Sequence, residues 1–214
     1  SGDDAPTDDM SQFLAMIEAV DTELGRLLDE MGPTMLARTT TMVLGDNGSP
    51  KRSLVVPEDQ SKGTARERGI RVPLIVTGPF VDRPGVEVDA LVHIADLFST
   101  AADMSGVTPE HQVDGTTLLP YLRDHERAPL REFLYAERFD DNGFDLPKVV
   151  YRRTIRDDRY KLLQDFFYGV ETHSLYEVPG IGFEGPDLLL EPLDADAELA
   201  LERLQAAMPF PWPY

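Results

Sequence analysis

Residues 39–48 read TTTMVLGDNG, and residues 62–78 read KGTARERGIRVPLIVTG. The first run is β-branched and apolar as far as Leu44 and then turns polar. Such side chains fit a pleated, packed surface, so Thr39–Gly45 is expected to be a buried strand. Pro73–Gly78 is expected to be a second, on the same reading. Asp46-Asn47-Gly48 then falls at the carboxyl end of the first strand, where open α/β sheets place their ligands. Asp46 offers a carboxylate oxygen and Asn47 an amide oxygen, hard donors of the kind Ca²⁺ or Mg²⁺ takes. Two donors are fewer than the roughly six to eight that Ca²⁺ gathers. The same tripeptide is also ordinary turn chemistry, an Asx turn closing the strand, and the residues alone leave both readings open.

Lys62 adds an ammonium group, a point-charge partner for sulfate or phosphate. Its plainer reading is a solvated loop lysine. Arg71, just before Val72-Pro73, is expected to anchor the loop or to pair with Glu67. Residues 46–69 form a long polar connection, a length that compact domains reserve for functional or disordered loops.

Working outward, residues 10–31 carry Phe13, Ile17, Val20, Leu24, Leu27 and Met31 at steps of three and four, the spacing of an amphipathic helix. Asp8 or Asp9 is placed to cap its start, and Gly32-Pro33 to stop it. Asp89–Met104 is expected to be a second helix, with Leu91, Ile94, Leu97, Phe98 and Ala101 on one face. Composition shifts near Asp124–Pro129. Beyond it, Phe133–Glu137, Val149–Arg156, Tyr160–Leu163 and Ser174–Val178 read as strands, with a hairpin turn at Asp157-Asp158. Residues 194–208 read as a closing helix with Ala197, Leu199, Leu201 and Leu204 among charges, and residues 209–214 as a Pro-interrupted tail. This divides the chain into an α/β part over 1–125 and a small antiparallel sheet with one helix over 126–214.

A net charge of −19 argues against nucleic-acid and anionic-membrane partners, since both repel a polyanion. The charge is uneven. Residues 1–30 hold nine acids and one Arg, whereas 51–71 gather Lys51, Arg52, Lys62, Arg66, Arg68 and Arg71, an island that suits an anionic ligand. The absence of Cys excludes disulfides, thiolate metal sites and Cys nucleophiles within these residues. No apolar run approaches the roughly 18 residues of a membrane span. The start lacks the basic and apolar regions of a signal peptide and reads as an interior cut point. His93, His111, His125 and His173 are scattered, with no HxH or HxxxH spacing, and no Ser occupies a Gly-x-Ser-x-Gly elbow.

Thr41–Gly48, Lys62–Gly78, Asp89–Val107 (DALVHIADLFSTAADMSGV) and Asp114–Leu119 (DGTTLL), in that order, closely resemble the C-terminal half of sulfatases, members of the alkaline-phosphatase-like superfamily. The likeness starts at Phe13–Leu28 and runs on through Ile155–Leu163 (IRDDRYKLL) and Leu175-Tyr176-Glu177. It implies the C-terminal part of an alkaline-phosphatase-like α/β sandwich plus a small antiparallel-sheet subdomain with one helix. It also implies a sulfuric ester hydrolase that uses one divalent ion, Ca²⁺ or Mg²⁺, and a formylglycine made within a C/S-x-P-x-R motif. By resemblance, Asp46 and Asn47 match the metal-ligand pair and Lys62 the lysine that contacts sulfate. Asn after the Asp favours sulfatases over the related phosphodiesterases and phosphonate hydrolases. The implied substrate is a sulfate-ester small molecule or sulfated glycan, and the full-length protein is expected in the periplasm or outside the cell.

The C/S-x-P-x-R motif is not among these residues, and neither is the family's N-terminal Asp-Asp pair. The chain alone is therefore expected to be an inactive fragment whose nucleophile lies in a missing N-terminal half. Two alternatives stand beside this. One is a phosphodiesterase or phosphonate hydrolase of the same superfamily. The other is a binding module with a vestigial site. A dimer through an exposed sheet surface is a further expectation, since uncovered apolar faces associate.

Overall fold

The computed structural model describes residues 8–49, 60–139, 150–179 and 183–209. The chain divides into two compact units, Ser1–Pro84 and Gly85–Tyr214.

The first unit opens with α1, Asp9–Leu36, whose start is capped by Asp8 accepting the Ser11 amide at 2.9 Å. Gly32 interrupts it with φ 69°, as expected of Gly before Pro, but Pro33 then begins a last turn that runs on to Leu36. No residue of α1 is buried, and Ile17, Val20 and Leu27 of its apolar stripe are exposed. Strand β1, Thr41–Leu44, pairs antiparallel with β2, Leu74–Thr77, in the register Thr41↔Thr77 to Leu44↔Leu74. The two expected strands therefore exist, but they are not buried: Ile75 is 62% exposed and Leu44 37%. They form a two-stranded sheet, so apolar side chains remain open to water. A one-turn helix α2, Glu67–Ile70, precedes β2.

In the second unit, α3 spans Asp96–Met104, shorter than the helix expected from residue 89. The Asp96 carboxylate takes the His93 amide at 2.7 Å, and the Asp96 amide bonds the His93 carbonyl, which fixes a turn where the helix was expected to continue. Ile94 and Phe98, expected on the packed face, are exposed. A short helix α4, Leu119–Arg123, carries Pro120 in its first turn, where a missing N–H costs nothing.

Four strands follow: β3 (Leu134–Phe139), β4 (Val150–Arg156), β5 (Tyr160–Phe167) and β6 (Val170–Glu177). They form one antiparallel sheet in sequence order. The expected hairpin turn is present, closed by the Asp157 amide on the Tyr160 carbonyl at 3.0 Å. A second hairpin at Tyr168-Gly169 has φ of 47° and 87°, both positive as a two-residue primed turn requires. It lengthens β5 and β6 beyond the runs read as strands.

Helix α5, Ala195–Ala207, is capped by Asp194 on the Ala197 amide at 2.8 Å. It lays Ala197, Ala200 and Leu204 on Ile155, Leu162 and Leu175, which face one another in register across β4, β5 and β6. Leu199, read as part of the apolar face, is 57% exposed. Lys161 and Glu184 form a buried ion pair at 3.0 Å. No described helix is long and apolar enough to cross a membrane. The tail after residue 209 lies outside the described residues.

Candidate active site

The candidate residues lie in the first unit, where β1 runs out. Gly45 donates its amide to the Pro73 carbonyl (3.2 Å), Gly48 to that of Gly69 (3.0 Å), and Ser49 to that of Arg68 (2.9 Å). The strand pairing thus continues past Leu44 as a zipper between 45–49 and 68–73. Lys62 then donates its amide to the Ser49 carbonyl at 2.8 Å. Residues 50–59 lie outside the described residues. These bonds join the Asp46-Asn47 segment and Lys62 into one backbone clasp.

Glycine makes the clasp possible. A methyl group at Gly48 would overlap the Arg68 carbonyl oxygen, and one at Gly69 would lie 2.5 Å from the Thr64 carbonyl oxygen. Neither glycine has a positive φ, so space and not backbone freedom is what each position requires. Under the clasp, Ser61, Ala65 and Glu67 are buried, and the Thr64 hydroxyl closes a turn on the Ser61 carbonyl at 2.8 Å.

Asp46 and Lys62 are exposed and Asn47 is half-buried. None of the three side chains has a hydrogen bond or ion pair among the described residues. The Asx-turn reading of Asp46 is not what forms, because the Gly48 amide is given to Gly69 instead. Arg71 anchors the loop through its amide, which bonds the Glu67 carbonyl at 2.7 Å. Of the positive island, Lys51 and Arg52 lie outside the described residues. Arg66 and Arg68 are half-buried, with interactions of their own.

Several other ionisable groups are committed elsewhere. His173 pairs with Glu171 at 2.6 Å inside β6, not before it, and the His93 ring accepts the Ala95 amide. Tyr135 and Tyr151 share the Glu137 carboxylate at 2.6 and 2.7 Å, and desolvation holds both phenols above their ordinary range. Among the described residues, no three His, Asp or Glu side chains converge as a metal cluster. Asp46 and Asn47 fit a hard cation in donor type, as two oxygen ligands with no partner among the described residues.

A family model described as Sulfatase matches residues 1–107, and one described as N-sulphoglucosamine sulphohydrolase, C-terminal, matches residues 61–185. The chain belongs to the sulfatase family. It is 25% identical to an ulvan-active sulfatase of Formosa agariphila over 72% of this chain and 28% of that protein. It is 27% identical to a second sulfatase of the same organism over 92% of this chain and 39% of the relative. This sulfatase chain thus spans well under half the length of the curated relatives it matches.

Among solved structures, a protein captured with its substrate D-glucosamine-2-N,6-O-disulfate superposes with a TM-score of 0.73 at 21% identity, over 92% of this chain and 39% of that one. The phosphonate monoester hydrolase of Agrobacterium radiobacter superposes at 0.70 with 26% identity, over 95% and 42%. The fold is alkaline-phosphatase-like, as the motif order implied.

The residues that sequence reading missed are the ones that build the sulfatase clasp: Gly48, Ser49 and Gly69. Their signal was present as two glycines flanking a long loop, each next to the residues of interest. It was legible as turn chemistry and not as a demand for close approach.

Proposed function

We propose that this chain carries one side of a sulfate-ester hydrolase site, with Asp46 and Asn47 as ligands to a single divalent ion and Lys62 as the cation that meets the sulfate. The observation that carries this reading is the clasp. It ties the backbone of a carboxylate, a carboxamide and an ammonium residue together and leaves all three side chains without partners among the described residues. Ca²⁺ or Mg²⁺, when bound, would supply polarisation of the ester oxygens. Lys62 would hold positive charge against the sulfate oxygens as negative charge builds on them. Exposure of Asp46 and Lys62 is consistent with a site completed from elsewhere in the polypeptide. The formylglycine nucleophile and the remaining ligands belong, on this reading, to sequence outside these 214 residues.

The proposed substrate class is a sulfated glycan or a smaller sulfate ester. A relative named N-acetylglucosamine-6-O-sulfatase, from Bacteroides thetaiotaomicron, is 25% identical over 79% of this chain and 30% of its own length. The likeness to the Agrobacterium radiobacter enzyme favours a second reading, hydrolysis of phosphonate or phosphate diesters. Rates of the complete protein on an aryl sulfate and on an aryl phosphonate ester separate them. Faster turnover of the sulfate is expected, and preference for the phosphonate would reverse the assignment. The open stripe of α1 and the exposed Ile75 are proposed to be covered by the rest of the polypeptide. A concentration-dependent dimer of this chain in sedimentation would assign them to a second copy.

A further inference from the structure

We propose that Gly69 is a positioning residue for Lys62, acting through the space its missing side chain leaves; this rests on reading Asp46, Asn47 and Lys62 as one site. Gly69 is buried at the end of α2 and bonds in two directions. Its amide meets the Arg66 carbonyl at 2.8 Å, and its carbonyl takes the Gly48 amide at 3.0 Å. A methyl group there would sit 2.5 Å from the Thr64 carbonyl oxygen, 2.6 Å from the Thr64 hydroxyl and 2.8 Å from the Ser61 carbonyl oxygen.

Two of those three atoms are main chain. The third is tied down, since the Thr64 hydroxyl is bonded to the Ser61 carbonyl at 2.8 Å. No rotamer change relieves the overlap, so the turn Ser61–Thr64 has to move as a body. Lys62 sits within that turn and is joined to the metal-pair segment by its amide on the Ser49 carbonyl. A side chain at residue 69 therefore displaces Lys62 relative to Asp46-Asn47 while touching none of the three. Gly45, in the same zipper, is a looser position. A methyl group there would come no nearer than 3.1 Å to any neighbour, that one being Val72 Cβ.

Amide hydrogen exchange by NMR on this chain tests the mechanical step. In the unaltered chain, Gly48, Ser49 and Lys62 are expected to exchange together as one opening unit. In Gly69→Ala their exchange is expected to speed by about tenfold, with the four-stranded sheet unchanged as the control for folding. Independent rates for the three amides, or unaltered rates in the variant, overturn the proposal.

Kinetics of the complete hydrolase test the functional step. Gly69→Ala is expected to lower kcat/KM by about 100-fold, the scale of an ångström-sized misplacement. Combined with Lys62→Ala, it is expected to add no further loss. Additive losses make Gly69 a structural residue only and overturn its positioning role. If Lys62→Ala itself leaves hydrolysis intact, the site reading falls, and this role with it. A failure confined to the exchange experiment removes Gly69 alone.

Discussion

Asp96 and Arg131 form an ion pair of 2.5 Å in which the carboxylate is sealed from solvent and the guanidinium is mostly covered. The same carboxylate accepts the Thr116 amide at 2.8 Å and the His93 amide at 2.7 Å. One side chain thereby binds the start of α3, the DGTT segment and the approach to β3. Thr100 extends the node by accepting the Leu118 amide at 2.8 Å. Arg131→Ala strands a buried negative charge, so a loss of about 3–5 kcal/mol is expected in urea unfolding of this chain. A loss below about 1 kcal/mol contradicts the role assigned to the pair.

The helix–sheet core gives a second expectation. Leu162 is fully buried between Ile155 and Leu175, under α5. Leu162→Ala removes packed methyl groups and leaves a cavity, for a loss of about 2–5 kcal/mol. Leu199→Ala, on the exposed side of α5, is expected to stay within about 0.5 kcal/mol. Equal effects from the two would mean that α5 presents a different face to the sheet.

Much of this architecture was legible in the chain, because the physics was local. The steps of three and four along residues 10–31, the Asp8 cap and the β-branched run at Thr39–Leu44 each depend on neighbours within one element. Where reading failed, the cause was tertiary. With a helix expected from residue 89, Asp96 falls inside it as one more acid, and its distant partners Thr116 and Arg131 could not be read from the sequence around it. β5 and β6 run further than expected because Tyr168-Gly169 makes a primed turn without the usual Asn-Gly or Asp-Gly. In the site, Asp46, Asn47 and Lys62 could be picked out by chemistry. Gly48 and Gly69 could not, because nothing in a sequence says which carbonyl will press against a glycine.

Tyr168 supplies a third test. It is exposed and holds φ 47°, a conformation that costs most side chains about 1–2 kcal/mol. Asn tolerates it, so Tyr168→Asn is expected to raise the thermal midpoint, worth up to about 1 kcal/mol after loss of the edge contact with Phe167. A lowered midpoint would show that the ring contact outweighs the backbone strain.

The Tyr135–Glu137–Tyr151 cluster predicts an alkaline limit. Desolvation first, then hydrogen bonds to Glu137, raise the folded pKa of Tyr135, and desolvation chiefly raises that of Tyr151. Above about pH 10 the unfolded phenols give up protons that the folded ones keep, so the unfolded state gains. The contribution is whole below about pH 10 and declines as pH climbs toward the folded values. Urea midpoints are expected to drop between about pH 9 and 11, and Tyr135→Phe to flatten that drop. A slope unchanged in the variant would place the alkaline sensitivity elsewhere.

Asp46, Asn47 and Lys62 are proposed to form one side of a sulfate-ester hydrolase site. The most direct test is the turnover of an aryl sulfate by the complete protein, by its Asp46→Ala, Asn47→Ala and Lys62→Ala variants, and by the 214-residue chain alone. The complete protein is expected to turn the ester over, each variant to lose about 100-fold or more, and the chain alone to show no turnover. Sustained turnover by the isolated chain, or variants that keep the full rate, would contradict it.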